Sequence, residues 1–308
     1  MSNDRLLAIV SKMYYIDKVK QNEIAKRFNI SSMMVSRILK EAETCGIVNF
    51  HVKMPWQVDM DLSTTMRKKY GLEDSYVFEI PEDNELSLRL GSYMADYFTQ
   101  ILPKKNAIVG LSWGNTISKF MQALPYMQVE NCSLVQLTGS FASVNSMLSS
   151  TDVINGASKK LDGHIYVLNA PLYAASKYMR DNLLSDPVNK LIMQMAEKSD
   201  INIIGVSDLS VHASTFKSGV ITPEDYDELQ SLKSIGDLAG TFLDSGGNPL
   251  KWSKSNLNTG VPLQRISNAH YVICVAGEMR KAEILKKICG KKYFNVLLTT
   301  KELAKELV

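Results

Sequence analysis

The stretch Gln21–Gly46, QNEIAKRFNI SSMMVSRILK EAETCG, reads as two short helices joined by a tight turn. In the first, Ile24, Ala25 and Phe28 share one face of an amphipathic helix. After Ser31 the apolar set is Val35, Ile38, Leu39 and Ala42. Two such stripes need a shared core. Asn29 tolerates the turn conformation between them, Ser31 or Ser32 caps the second helix by accepting from its free N–H groups, and Gly46 stops it. With the buried stripe set aside, Ser32, Met33, Ser36, Arg37 and Lys40 remain on the opposite side. That face has the chemistry to enter a major groove. Hydroxyls bond bases or phosphates, methionine contacts a thymine methyl, arginine donates two bonds to guanine, and lysine neutralises phosphate. The turn length and helix order match a helix-turn-helix, whose second helix reads the groove. Helical hairpins with polar outer faces also occur in proteins that never touch DNA, so the pattern alone leaves both readings open.

Charge distribution favours the first. The chain of 308 residues has 35 Lys+Arg against 32 Asp+Glu, a net of +3. Residues 1–54 carry 9 basic and 5 acidic side chains, a net of +4, which leaves −1 for the rest. A basic head on a nearly neutral body is the distribution that counterion release from a polyanion would favour.

Length and a 45% hydrophobic composition fit a small module at residues 1–54 plus one large core at residues 55–308, with the boundary near Pro55. Cys45, Cys132, Cys274 and Cys289 form no C-x-x-C pair and have no nearby histidine, so they read as reduced core residues, and no metal or cofactor is expected. The N-terminus shows no cleavage-site pattern, and no run approaches the roughly 20 apolar residues of a membrane span. The expected location is the cytoplasm. Asp4–Val19 places Leu6, Val10, Met13 and Tyr14 on one stripe, a first helix to cover the helix-turn-helix. Ile47–Val52 alternates loosely enough for a short strand or wing, where His51 either meets a phosphate or is simply exposed.

Beyond Trp56, short β-rich apolar runs alternate with helical segments: 107–111, 134–137, 165–168, 201–206, 271–275 and 295–298. Helices are expected over 115–124, 187–198, 223–232, 279–289 and 300–307. Runs without clean alternation imply burial on both faces, hence an α/β body with a mostly parallel sheet covered by helices. Thr222-Pro-Glu-Asp225 is a capping-box variant, and Asp244–Pro249 a turn cluster expected to hang a hairpin on the sheet. In such folds ligands sit at the strand carboxyl ends, beside helix N-termini. Gly110-Leu-Ser-Trp-Gly-Asn-Thr116 follows a strand and opens a helix, with Ser112, Gly114, Asn115 and Thr116 placed to cradle a phosphate or sugar hydroxyl. Thr138-Gly139-Ser140 repeats the arrangement. Lys281 lies inside the apolar arc of its helix, in the first turn. It either meets an anionic or hydroxyl-rich ligand, snorkels, or pairs internally with Asp237.

The head motif Gln21-x-Glu-Ile-Ala-Lys-Arg-Phe-x-Ile-Ser31 with Val35-Ser-Arg37 occurs with Gly110–Thr116, Gly236-Asp-Leu-Ala-Gly240, Ala276-Gly-Glu-Met-Arg-Lys281 and Tyr293-Phe-Asn-Val-Leu-Leu-Thr299. Over nearly its whole length the chain thereby resembles SorC/DeoR-type sugar-responsive transcriptional regulators of bacteria. The resemblance implies a helix-turn-helix domain and an effector domain similar to sugar-phosphate isomerases and deaminases. It also implies a sugar, polyol or sugar-phosphate effector held at Ser112–Thr116, Thr138–Ser140, Asp237 and Lys281, with operator DNA as partner. Three departures bear on the effector, the first being Ser112 where many members have glycine. Glu278 replaces the second glycine of the family's Ala-Gly-Gly and would partly neutralise Lys281. The loop Asn169–Ala175 lacks the arginine that some members use for phosphate, Arg180 being the nearest. An enzyme of the isomerase or deaminase class is the competing reading. No body segment offers the closely spaced carboxylates and histidine that proton shuttling needs, and His164, His212 and His270 lie apart in sequence. A homodimer or homotetramer is expected, because one helix-turn-helix buries too little surface for tight binding.

Overall fold

The computed structural model describes residues 3–50, 57–141 and 149–308. The chain forms two compact units, Met1–Met54 and Pro55–Val308.

The first unit holds α1 (Asn3–Ser11), a π-helical turn over Lys12–Ile16, α2 (Gln21–Phe28) and α3 (Ser32–Thr44). Its core is Leu7, Val10, Ile24, Ala25, Val35, Ile38, Leu39 and Ala42, with Met13, Tyr14, Phe28 and Val48 packed against it. Both helix termini in the turn are satisfied locally. Asn29 closes α2 in the left-handed region (φ 52°), and the Ser31 hydroxyl accepts from Met34 N at 3.2 Å, so Ser31 is the cap. Two expectations need correction. The first helix ends at Ile16 rather than Val19, because its hydrogen bonding widens to a π turn and Lys18 then takes φ 57°. That turn brings the Tyr15 hydroxyl to donate to Glu43 at 2.8 Å. Residues 47–50 form no strand. Val48 folds back onto the head core and Phe50 packs edge-on against Tyr15 at 5.0 Å, while His51 and Val52 lie outside the described residues.

The second unit is a doubly wound sheet. In chain order its elements are α4 (Met60–Tyr70), β1 (Asp74–Phe78), α5 (Leu86–Ile101), β2 (Ile108–Leu111), α6 (Asn115–Ala123), β3 (Ser133–Gln136), α7 (Ser150–Leu161) and β4 (His164–Tyr166). There follow α8 (Lys177–Ser185), α9 (Pro187–Glu197), β5 (Ile201–Ser207), α10 (Ser214–Lys217), α11 (Pro223–Ser231), β6 (Gly236–Leu238) and β7 (Thr241–Leu243). The chain ends with α12 (Leu263–Ile266), β8 (Tyr271–Ala276), α13 (Ala282–Ile288), β9 (Val296–Thr300) and α14 (Lys301–Leu307). The parallel order is β1-β9-β8-β5-β2-β3-β4, with β6 antiparallel to the end of β5 and β7 antiparallel to β6.

The strands read as unbroken apolar runs because each face of the sheet has its own core. On β8, Val272, Cys274 and Ala276 join the cluster containing Ile284, Leu285 and Leu303. Ile273 and Val275 join the opposite cluster, with Leu90, Phe98 and Phe120. Every such side chain withdrawn from water contributes roughly 1.5–3 kcal/mol before entropy is counted. At the centre, Asn202 of β5 is fully buried and donates to the carbonyls of Ala196 (3.1 Å) and Ile266 (2.9 Å). Its register partner on β2 is Gly110, where an added Cβ would lie 2.0 Å from Asn202 Oδ1. Gly110 thus serves sheet packing rather than ligand approach. The Thr222–Asp225 capping box forms as read. At the turn cluster, Asp244 N donates to Asn248 O and Leu250 N to Phe242 O, so the chain does fold back there. Three cysteines are buried, and burial raises Cys132 to about 11 and Cys289 to about 12. Cys45, read as a core residue, is exposed at the end of α3.

Candidate functional site

The outer face of α3 is bare. Met33 is 84% exposed, and Ser36, Arg37 and Lys40 are exposed beside it, with no ion pair to Arg37 or Lys40 among the described residues. Ser32 is half-buried, its hydroxyl donating to Asn22 Oδ1 at 2.7 Å, which ties the start of α3 to the start of α2. Met34, 45% exposed, joins this face although the sequence reading passed over it. The five residues Ser32, Met33, Ser36, Arg37 and Lys40 therefore lie along one side of one helix, opposite the buried Val35, Ile38 and Leu39.

In the second unit, strand order reverses between β2 and β5: β3 and β4 continue from β2 in one direction, β8 and β9 from β5 in the other. The carboxyl ends diverge there and leave a crevice, the position where open α/β sheets bind ligands. A cavity of about 290 Å³ occupies it. Its walls are the turn Ser112–Thr116 after β2, Gly205–Ser207 at the end of β5, Asp237 and Gly240 of the β6–β7 hairpin, and Glu278 and Lys281 after β8.

Each wall has a local cause. Gly114 takes φ 138° and opens α6 without a side-chain cap, which leaves first-turn N–H groups facing a site suited to oxygen ligands. Ser112 is buried and its hydroxyl accepts from Gly205 N at 3.2 Å, joining the β2 and β5 ends; Thr116 is buried nearby. Asn115 is exposed and donates to Ser87 of α5 at 2.9 Å. The hairpin that presents Asp237 turns through Ala239 (φ 50°) and Gly240 (φ 78°), both at positive φ as in a type I′ turn. It lies tight on β5. A Cβ on Gly236 would sit 2.1 Å from Ser207 O.

Asp237 is 4% exposed, with Oδ2 accepting from Gly240 N at 3.0 Å and Oδ1 without a partner among the described residues. Burial, opposed by the Gly240 N–H and the Lys281 charge, pushes this carboxyl up to about 7. Lys281, 7% exposed, does not settle on Asp237. Its Nζ lies 2.6 Å from Glu278 Oε2, an ion pair between two largely buried side chains. Burial would raise Glu278, but the Lys281 ammonium, the Glu278 backbone N–H and Arg280 together outweigh it and hold the carboxyl at about 2.

Of the nine residues expected to hold an effector, Ser112, Gly114, Asn115, Thr116, Asp237 and Lys281 line the cavity. Thr138, Gly139 and Ser140 do not, because their turn is committed to a neighbouring segment. Ser140 N donates to Ala170 O and Leu172 N to Ser140 O, and a Cβ on Gly139 would lie 2.6 Å from Leu172 Cα. Thr138 sits behind the hairpin, its hydroxyl without a partner among the described residues, with a Cβ on Gly240 reaching to 3.9 Å from its methyl. Arg180 is turned elsewhere, donating to Asn258 O at 2.8 Å. The sequence reading missed His212, Thr215 and Lys217, which reach the rim from the segment after β5. The rule that ligands gather at carboxyl ends pointed there, but the segment has no glycine-rich signature to mark it. Among the described residues there is no cluster of three or more potential metal-ligating side chains and no helix long and apolar enough to cross a membrane.

A helix-turn-helix with a bare outer face on its second helix and a doubly wound body with a polar crevice at its switch point fit the architecture of SorC/DeoR-type regulators. The chain belongs to the family described as "Putative sugar-binding domain", whose model matches residues 55–308. It is 28% identical over 301 residues to the deoxyribonucleoside regulator of Bacillus subtilis, covering 97% of this chain and 95% of that one. It is 23% identical to the sorbitol operon regulator of Klebsiella pneumoniae over 99% of this chain and 98% of the relative. The crystal structure of the full-length sorbitol operon regulator SorC from Klebsiella pneumoniae shares the fold, with a TM-score of 0.73 at 22% identity, over 100% of this chain and 99% of that one.

Proposed function

We propose that this protein is a DNA-binding transcriptional regulator of a carbohydrate-utilisation operon. A sugar, polyol or sugar-phosphate effector controls its affinity for operator DNA. The observation that carries the reading is the crevice at the β2–β5 switch point. Its lining of helix N-terminus, buried hydroxyls, Asp237 and Lys281 is donor and acceptor chemistry for a hydroxylated ligand, in a family named for sugar binding. The relatives above are regulators rather than enzymes. The rim histidine His212 is exposed and has no hydrogen-bond partner among the described residues, so nothing orients it as a general base.

DNA is read by Ser32, Met33, Ser36, Arg37 and Lys40, and the effector by Ser112, Gly114, Asn115, Thr116, Asp237 and Lys281. Thr138 backs the hairpin, and Gly139 and Ser140 pack on the 170–172 segment rather than touch the ligand. Working on operator DNA places the protein in the cytoplasm. Pairing into a homodimer or homotetramer supplies two reading heads. The body offers surface for it: α8 has no buried side chain and exposes Tyr178 and Met179 beside Val188 and Leu191 of α9. An effector shifts operator affinity only through unequal affinity for the two states of the assembly.

The test is a mobility shift on the gene's own upstream DNA with and without a panel of sugars, polyols and their phosphates. Asp237→Ala and Lys281→Ala are expected to keep the shift and lose its response to the active compound. A full response in both variants would place the effector elsewhere.

A further inference from the structure

The crevice has an electrostatic asymmetry that bears on what it holds, if it is the effector site proposed above. The cations at the β8 end are already answered by acids of this chain. Lys281 Nζ lies 2.6 Å from Glu278 Oε2. Arg280 approaches Glu278 Oε1 at 3.4 Å and Asp208 Oδ1 at 3.5 Å. Glu278 itself lines the cavity, its side chain only 18% exposed. Asp237 also lines the cavity, buried, with one carboxyl oxygen left without a donor among the described residues. A buried acceptor without a partner is costly, and a ligand hydroxyl that donates to it recovers the loss. An anionic ligand group at the same place would meet the Glu278 carboxylate and would have to displace it from Lys281.

We propose that Glu278 is a specificity-determining residue. Its carboxylate stands as an internal anion against Lys281, so the effector meets this end of the crevice through uncharged hydroxyl groups, as a polyol or an unmodified sugar end does. Phosphate and carboxylate groups are excluded there. An ammonium held by one carboxylate still has N–H donors to offer a hydroxyl, whereas its net charge is spent. The exclusion comes from like charge as well as from occupancy, which is how a site rejects a near-isosteric competitor. The α6 N-terminus lies on another wall and keeps its own preference for oxygen ligands.

The experiment uses inorganic phosphate as probe, with the full-length chain. Its affinity is read from thermal-melting midpoints across phosphate concentrations at constant ionic strength, for wild type, Lys281→Met, Glu278→Gln and the double variant Glu278→Gln/Lys281→Met. The quantity that decides is the part of phosphate affinity that Lys281→Met removes. It is expected to be near zero in wild type and to correspond to about tenfold tighter binding or more in Glu278→Gln. Glu278→Ala repeats the test should Glu278→Gln fold poorly. A Lys281-dependent phosphate affinity already present in wild type, or none in either Glu278 variant, overturns the proposal. Asp237→Ala in the mobility-shift assay separates this from failure of the effector reading. If the sugar response survives that substitution, the crevice is not the effector site. If the response is lost while phosphate behaves alike in wild type and the Glu278 variants, only the role of Glu278 fails.

Discussion

Replacing Asp237 with asparagine should make the protein more stable and less responsive. In the folded chain this carboxyl is raised by burial from 3.8 to about 7. The sign follows from linkage. Well below 3.8 the group is protonated whether folded or unfolded and costs nothing. Between about pH 4 and 7 the unfolded chain ionises while the folded one resists, so stability falls as pH rises; above 7 the loss is constant. A displacement of that size corresponds to about 4 kcal/mol at full ionisation, at about 1.4 kcal/mol per tenfold change. Asparagine keeps the shape and an oxygen for the Gly240 N–H but pays its own burial, so the expected gain is about 1–4 kcal/mol at pH 8.5 and close to nothing at pH 4. Chemical denaturation followed by tryptophan fluorescence reports on the body alone, because residues 1–54 contain no tryptophan. Measurements at pH 4, 5.5, 7 and 8.5 and fixed protein concentration would resolve the slope. An Asp237→Asn variant no more stable than wild type at pH 8.5, or a wild-type pH slope that survives the substitution, would refute this reasoning. A residue that costs stability and is retained for binding is a familiar trade in ligand sites.

Arg37→Ala should weaken specific operator binding by about 1–3 kcal/mol and relax preference at the base pair it reads, checked by competition against single-site operator variants. Lys40→Ala should weaken all duplexes alike and lower the salt dependence of binding by about one phosphate contact, seen as the slope of log affinity against log salt. Gly110→Ala should destabilise the body by about 2 kcal/mol or more, because the new Cβ would displace Asn202 from two buried carbonyls; denaturation midpoints would show it. Thr222→Ala should cost about 1 kcal/mol through loss of the capping box, and a larger effect on sugar response than on stability would contradict a purely structural role.

The head was legible because both determinants are local: a 3.6-residue periodicity whose apolar members match the buried set, and a turn whose Asn29 and Ser31 behave as their chemistry dictates. The five central strands, β9, β8, β5, β2 and β3, were legible for the opposite reason. Burial on both faces removes alternation and leaves short unbroken apolar runs. Elements without a clean stripe escaped. α5 buries residues around most of its circumference against α6 and the sheet, and α8 buries none, so neither shows an amphipathic face. β1 is an edge strand laddered to β9, and its Asp74 and Ser75 mask it. The placement of Asp237 over the crevice depends on β6 crossing the end of β5, a long-range pairing that local pattern does not contain. The Glu278–Lys281 pair was visible as a spacing of three, but its distance and burial were not. The Thr138–Ser140 turn shows the limit of motif reading. Small residues that suit a ligand suit a close backbone approach equally well, and here the approach to Leu172 accounts for Gly139.

The central claim is that a hydroxylated ligand in the crevice and DNA on α3 are energetically coupled. Reciprocal titration tests it most directly: operator affinity with and without saturating effector by fluorescence anisotropy, and effector affinity with and without saturating operator by calorimetry. The account predicts that both ratios equal the same factor, about 5–150, and that both fall to one in Asp237→Ala while operator binding itself remains. Ratios of one in the wild-type protein, for every compound that binds the crevice, would contradict it.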